Sequence, residues 1–530
     1  VHCLAAGHRQ RSILCSDGGY LAAIIFSDTG KTSWQMKERF ITRVKEYMRS
    51  VNWPLLLFLV LFLNVKLYVK IVAVIIALVI HRKTPLPLKI IGRKWLWFYL
   101  AMPLLAGINL LLTVSTLSVP GLLSFSLGCG YWMLALLSGW HIFLFVRNEE
   151  DKERLYRTAD LFFLLNMICV LAVFIGICID AGSINPFTYR GQHQKYFINT
   201  GDFFRGLSMD SSVTAAMINA FGLLFFLYRG KKVLSLLALV CILMAGSNLL
   251  DLLLIGCFGF IFLFRSNRVQ KLMILAYLVM IGVFMVKVSP ENEEYAQHIL
   301  ARLRGEYPYE VPPPLPQPKM IDLVEKKEMA VRRTALRSSI DSLYPKSFRD
   351  SVRKKYSGWD LSGRWIAWRE MKDFFLLHPG RLLLGAGMGN FSSKVAFKTA
   401  AMNIDGSYPV EQRYIHPFFR DNYLYLYLYY HSKDQGQHSV VNKPDSVYGQ
   451  LLGEYGLVGV ACFLLLYLGF FIRNIRRLTY GLPLLLLMSI CFLTEYWFEQ
   501  LSIVVLFEFL MLLDRSRITI ESTNLQPKTT

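Results

Sequence analysis

Residues 161–179 read LFFLLNMICVLAVFIGICI, from Leu161 to Ile179 without one charged side chain. A bilayer core asks for about 20 consecutive apolar residues per helix, and this run meets that length. It is continuous rather than alternating, so it predicts a helix and not a barrel strand, and only these two structures satisfy every backbone group in lipid. The signature recurs at Leu55–Ile80 and Val458–Ile472. The whole chain of 530 residues is 54% hydrophobic and only 18% charged, whereas soluble domains run nearer a quarter charged. The expected fold is therefore an all-α membrane protein.

The net charge of +21 would suit nucleic acid, but its placement does not. Basic clusters sit between apolar runs, at His81-Arg82-Lys83, Arg93-Lys94, Arg229 to Lys232, Arg265 to Lys271 and Arg473 to Arg477. That is the positive-inside pattern of cytoplasmic loops. About twelve spans are expected, near 53–64, 66–80, 95–117, 120–146, 160–180, 208–228, 232–247, 249–265, 269–288, 446–472, 480–496 and 498–514. One long helix over 53–80 would move His81 to Lys94 to the outer side, so two crossings are predicted there. The resulting organisation is an N-terminal segment (1–50), nine spans (51–288), a large, mostly helical extracytoplasmic loop (289–445), three more spans (446–516) and a cytoplasmic tail (517–530).

The loop is where chemistry is expected. It carries a rigid spacer, Val311 to Pro318, with the composition of polyproline II. A charged, helix-prone region follows, then an aromatic and glycine-rich one. From Arg332 to Lys398 there are fourteen Lys or Arg against five Asp or Glu, an excess that points to an anionic ligand or lipid headgroups. A solvated basic helix face explains 332–355 as well. Arg364 stands apart, between Gly363 and Trp365, with Trp368 one turn on; its planar fork suits phosphate oxygens. Farther along come His378-Pro379-Gly380, the glycine run Gly385 to Asn390, and Asp445 at the mouth of a span with Glu454 inside it. Ionisable groups at membrane depth are functional candidates.

In order and spacing these features resemble the O-antigen ligase and O-antigen polymerase family, polytopic GT-C-type glycosyltransferases of the bacterial envelope. The resemblance runs from about residue 50 onward. It is carried by the long loop after the ninth span, by Gly363-Arg364 with Trp368, by Gly385 to Phe391, and by Gly456 and Gly459 at a helix start. It implies a bacterial inner-membrane protein with the loop in the periplasm. There, without metal or nucleotide sugar, a glycan would pass from an undecaprenyl-diphosphate carrier to a hydroxyl on an acceptor glycolipid, glycan or glycoprotein. Arg364 matches one family arginine thought to hold the diphosphate, and Arg205 looks like the other; an interfacial arginine reaching for water is the competing reading of Arg205. Asp445 stands where ligases carry histidine, eleven positions before Gly456, with Ser446 where they carry asparagine. A carboxylate can take a proton from a sugar hydroxyl, and a turn or helix cap is the alternative. Ser247-Asn248 is a second departure, relatives often carrying Ser-Arg. The expected catalytic residues are thus Asp445, Arg364 and Arg205, with Trp368, Arg369, Glu454 and His416 binding substrate; His431 and His438 are further candidates for an imidazole.

The remaining signals are weaker. Tyr423 to Tyr430 alternates tyrosine with leucine, which predicts a strand with one tyrosine face. The cysteines lie near the N-terminus or inside apolar runs, without metal spacing. Thr29 to Thr32 resembles the end of a phosphate loop, but Ile25 stands where the glycine is needed. The chain begins with Val1, and 1–47 lacks the order of a signal peptide, so translation from Met36 or Met48 is the expectation. A transporter or flippase of lipid-linked glycan is the competing function; the missing internal repeat favours the enzyme.

Overall fold

The apolar runs fold as helices, and no strand occurs among the described residues. The computed structural model describes residues 45–64, 66–82, 94–112, 118–188, 203–209, 211–289, 323–356, 363–402, 413–432, 443–473 and 475–524, with Glu38, Ile41, Thr42 and Glu411. The proline spacer, His438, the phosphate-loop-like stretch and nearly all of 1–47 lie outside them. In chain order the bundle helices are α1 Trp53–Leu63, α2 Leu67–Ile80, α3 Lys94–Leu112, α4 Val119–Asn148, α5 Lys152–Ala181, α6 Ser212–Tyr228, α7 Lys232–Met244, α8 Asn248–Phe264 and α9 Arg268–Val283. The segment 289–445 contributes α10 Leu323–Leu343, α11 Lys346–Tyr356, α12 Gly363–Leu377, α13 Lys394–Thr399 and α14 Tyr425–Ser432. The chain then returns as α15 Val447–Cys462, α16 Gly481–Cys491 and α17 Ser502–Asn524.

Among the described residues five helices are long and apolar enough to cross a membrane: α3, α4, α5, α9 extended to Val288, and α15 extended to Ile472. Shorter apolar helices, α1, α2, α6, α7, α8 and α16, stand among them. Along α9, Leu272, Leu275, Val279, Val283 and Val286 are each at least half exposed on one face, while Ile274, Tyr277 and Ile281 are buried on the other. Such a stripe in water would be an aggregation site; in a bilayer it faces lipid. α17 lies at the centre, buried from Ser502 to Asp514.

α1 and α2 form a hairpin. The Asn52 amide donates to Thr158 (2.9 Å) and its side chain to Glu149 (2.8 Å). At the other end, His81 lies 3.2 Å from His141, ring nitrogen to ring nitrogen, and packs edge-on against Phe145. Both ends thus meet the corner between α4 and α5, while Lys70 in between reaches Ser502 at 2.7 Å. The chain turns back within this stretch rather than running as one tilted helix. Each arm, at 11 and 14 residues, is roughly 16–21 Å long, short of the ~30 Å hydrocarbon core.

Charge separates the two ends of the bundle. Arg229 pairs with Glu153 (3.0 Å) and Lys231 with Asp160 (2.6 Å), while Arg265 donates to the Arg476 carbonyl (3.0 Å). The segment α10–α14 packs on the opposite end as a cap with its own core, including Leu336, Tyr344, Phe374, Phe391, Phe419 and Leu428.

One prediction is corrected here. Tyr423 to Tyr430 is helical: a widened turn over Arg420–Leu424 leads into α14. Helical spacing puts Tyr423 and Tyr427 on one side and stacks Tyr425 on Tyr429 (6.2 Å) on another. Leu424 and Leu428 are buried together with Tyr423. Period-two alternation misleads because leucine and tyrosine can both be buried, so a broad buried arc on a helix accommodates it, and among the described residues no strand exists to pair with it.

Candidate functional site

The glycine motifs of cap and bundle are two halves of one joint. α15 is broken at Gly456, whose φ of 66° and ψ of −163° are not helical. An intact helix would bond the Leu457 and Val458 amides to the Gly453 and Glu454 carbonyls. Here the Leu457 amide donates to Leu382 O (2.9 Å) and that of Val458 to Leu383 O (3.2 Å). The freed carbonyls of Gly453 and Glu454 accept from the amides of Ala386 (2.9 Å) and Gly387 (3.0 Å). Irregular backbone at membrane depth is tolerated only where protein satisfies it, and the loop 382–387 does so group for group. The approach is too close for side chains: a Cβ on Gly385 would lie 2.4 Å from the Glu454 backbone, and one on Gly453 2.4 Å from the Phe391 ring.

Where this chain enters α15, an ionic cluster is buried. Lys443 Nζ lies 2.8 Å from Asp445 Oδ2 and 2.5 Å from Glu495 Oε1. Arg364, at the start of α12, donates through Nη2 to the carbonyls of Lys443 (3.4 Å) and Thr494 (3.3 Å). Tyr423 donates to the Pro444 carbonyl and closes the cluster from the α14 side. Ser446, not Asp445, caps α15: its hydroxyl accepts from the Gly449 amide at 3.3 Å. Asp445 is only 2% exposed, and its Oδ1 has no hydrogen-bond partner among the described residues. Burial pushes the Asp445 carboxyl up to about 6, with Glu495 adding to the rise and Lys443 and Arg364 opposing it. Burial pulls Lys443 down, but the carboxylates of Asp445 and Glu495 outweigh it and hold the ammonium well above its ordinary range. A carboxyl titrating near neutrality beside fixed cations is the kind of group that exchanges protons at working pH.

Arg364 and Asp445 are therefore brought together, with Lys443 and Glu495, which the sequence reading did not single out. The other candidates lie elsewhere. Arg205 is exposed and makes no hydrogen bond or ion pair among the described residues. Its backbone is anchored deep in the bundle, because the Leu207 amide donates to Asn166 (3.0 Å), midway along α5, and Asn166 in turn donates to Asn219 of α6 (3.0 Å). Trp368 packs against the cap core, and Arg369 is half-buried. Glu454 sits buried in the joint, facing Ser393 and the amides of Gly389 and Phe391 without closing a well-formed hydrogen bond to them. His416 accepts from the Phe418 amide through Nδ1 (3.1 Å), so its proton resides on Nε2 and the ring serves as a donor, not a base. Burial, then the nearby Arg381, pushes it down to about 4. His431 packs against Tyr427 with the rings tilted and their centres 4.4 Å apart.

Among the described residues no group of three or more His, Cys, Asp or Glu has a metal-binding arrangement. No family model matches this chain, and neither a curated protein nor a solved structure is significantly similar to it.

Proposed function

We propose that this chain is a membrane glycosyltransferase that moves a glycan from a polyprenyl-diphosphate carrier to an acceptor hydroxyl, as O-antigen ligases and polymerases do. The reaction would take place at the cap face, which would be periplasmic under the positive-inside rule given the basic residues at the other end of the bundle. The observation that carries the reading is the meeting of Asp445, a carboxyl poised near neutral pH, with the Arg364 guanidinium where the cap chain re-enters the bundle. In this reaction Asp445 Oδ1 takes the acceptor's hydroxyl proton, the oxygen forms the new bond to the anomeric carbon, and the bond from that carbon to the diphosphate breaks. The diphosphate departs with its electron pair, and Arg364 neutralises the charge that develops; Arg205, which lies apart from this cluster, is assigned to the diphosphate by the family resemblance alone.

The test is a gene deletion complemented by variants, with glycans read on gels. Arg364→Ala, Arg205→Ala and Asp445→Asn are each expected to abolish transfer while the protein still inserts in membranes. Single repeat units accumulating on the carrier identify a polymerase, and long unattached chains a ligase. Normal transfer by both arginine variants would remove the diphosphate clamp from the mechanism. A second reading, a transporter or flippase, is favoured by the acids within the bundle. Asp251 is buried with neither oxygen hydrogen-bonded among the described residues, and Glu508 is buried against the Tyr99 hydroxyl at 2.5 Å. Unchanged glycans with altered uptake of small molecules would establish it.

A further inference from the structure

A second basic site lies apart from the Arg364–Asp445 cluster and shares no residue with it. Where α3 ends, a cleft of about 420 Å³ opens between Asn109 and Leu112 on one side and His378, Gly380, Arg381 and Leu384 on the other. Asn109 fixes this wall: its amide donates to the carbonyls of Leu384 (2.9 Å) and Gly385 (3.1 Å), and its oxygen accepts from Arg381 Nη1 at 3.1 Å. Phe418 backs this wall, with the Arg381 guanidinium 5.8 Å and the His378 ring 5.0 Å from its centre. One edge of Arg381 is thus pinned, and no carboxylate pairs with it among the described residues. Among the described residues no acidic side chain lines the cleft. Such a wall suits an anion with several acceptor oxygens.

The rim specifies what carries the anion. Leu111 and Leu112 at the end of α3, Leu376 and Leu377 at the end of α12, and Leu383 just beyond are 62–75% exposed. Leu112 lines the cleft, and the other four stand within two residues of its lining residues in the chain. A soluble phosphate would make no contact with these leucines. A lipid covers them with its chains while its phosphate reaches Arg381. We propose that this cleft binds the phosphate of an anionic phospholipid from the cap-side leaflet, with its acyl chains along the two leucine pairs.

The experiment uses the full-length chain purified in detergent, loaded with phosphatidylglycerol or phosphatidylcholine of the same acyl composition and read by native mass spectrometry. The wild type should retain one phosphatidylglycerol in preference to phosphatidylcholine. Arg381→Gln should lower that retention about tenfold and leave phosphatidylcholine unchanged. Leu377→Glu, on an exposed position that cannot disturb the core, should do the same by placing a carboxylate on the rim. Equal retention of phosphatidylglycerol by wild type and Leu377→Glu would overturn the proposal, as would equal affinity for the two lipids. Displacement by glycerol phosphate at the concentration at which the lipid binds would also overturn it, because the leucines would then contribute nothing.

Discussion

Gly456→Ala tests the joint between cap and bundle most directly. At φ 66° and ψ −163° the backbone occupies a region that is essentially reserved to glycine, and a side chain there costs about 1–3 kcal/mol. The added Cβ would also lie 2.4 Å from the Leu383 carbonyl oxygen and 2.6 Å from the Gly385 amide. Backbone atoms cannot swing aside as a flexible side chain can, so the loop 382–387 must shift. The Leu457 and Val458 bonds to it are then lost or stretched, at about 1 kcal/mol each. Together these give a loss of roughly 3–5 kcal/mol. Gly107→Ala is the control, because nothing lies within 4 Å of a Cβ there and its φ is ordinary; helix propensity alone stabilises it by up to about 1 kcal/mol. Thermal unfolding in detergent, followed by loss of the monodisperse elution peak, compares the two. Protease access to the cap should rise in Gly456→Ala only. If Gly456→Ala unfolds at the same temperature as Gly107→Ala, α15 is continuous and the loop is not keyed into it.

Other consequences can be measured on the same material. Glycan transfer should rise with pH through about 6 and level off above it, because Asp445 acts as base only when ionised and burial holds it at about 6; a profile flat from pH 5 to 8 would exclude this base. Stability should run the other way. A carboxyl bound more tightly to its proton when folded has its stabilising influence fully present below about 3.8, and loses it as pH rises to about 6. Lys443→Met leaves the buried Asp445 and the partly exposed Glu495 without their shared cation, which should cost up to about 3 kcal/mol and move the rise in activity to higher pH; Lys443→Met combined with Asp445→Asn should be less destabilising than the sum. Finally, Tyr423→Ala, at a position 1% exposed, should cost about 3 kcal/mol or more. Tyr429→Ala, at 50% exposed, should change stability by less than about 0.5 kcal/mol; a strand with all tyrosines on one face would make the two alike in melting temperature.

What was legible in the sequence follows the range of the forces involved. Hydropathy is local, so the apolar runs announced α3, α4, α5 and α9 directly, although α5 already begins at Lys152 and α17 continues to Asn524. There the charged ends are helical without being apolar, and a hydropathy window cannot see them. Arg364 and Asp445 could be proposed together because their motifs stand in a familiar order. Lys443 and Glu495 could not, since their pairing joins residues 52 positions apart and nothing in either neighbourhood marks it. Arg381 was passed over for a similar reason: it looks like one more cation in a basic segment until α3 brings Asn109 to it. The tyrosine alternation failed for the opposite reason, being a strong local pattern that the burial of α14 overrides.

The glycines show how a local motif can be legible while its cause is not. Gly385 and Gly387, and farther along the chain Gly453 and Gly456, each read alone as a tight turn or a small residue in a helix. Either interpretation permits substitution by alanine at modest cost. Placed face to face they do not, because each run fills the space the other leaves empty, and the four backbone groups released by the broken α15 are those the loop satisfies. This joint constrains the site as well. α15 carries Asp445 just before its first turn and Glu454 just before the break, while α12 presents Arg364 from the cap. A shift of the loop against α15 therefore moves the cap as a body and changes the relation of Arg364 to Asp445, without either residue being touched. Gly456→Ala should accordingly reduce transfer by more than its loss of folded protein accounts for. Equal losses in activity and in folded fraction would confine the joint to holding the fold.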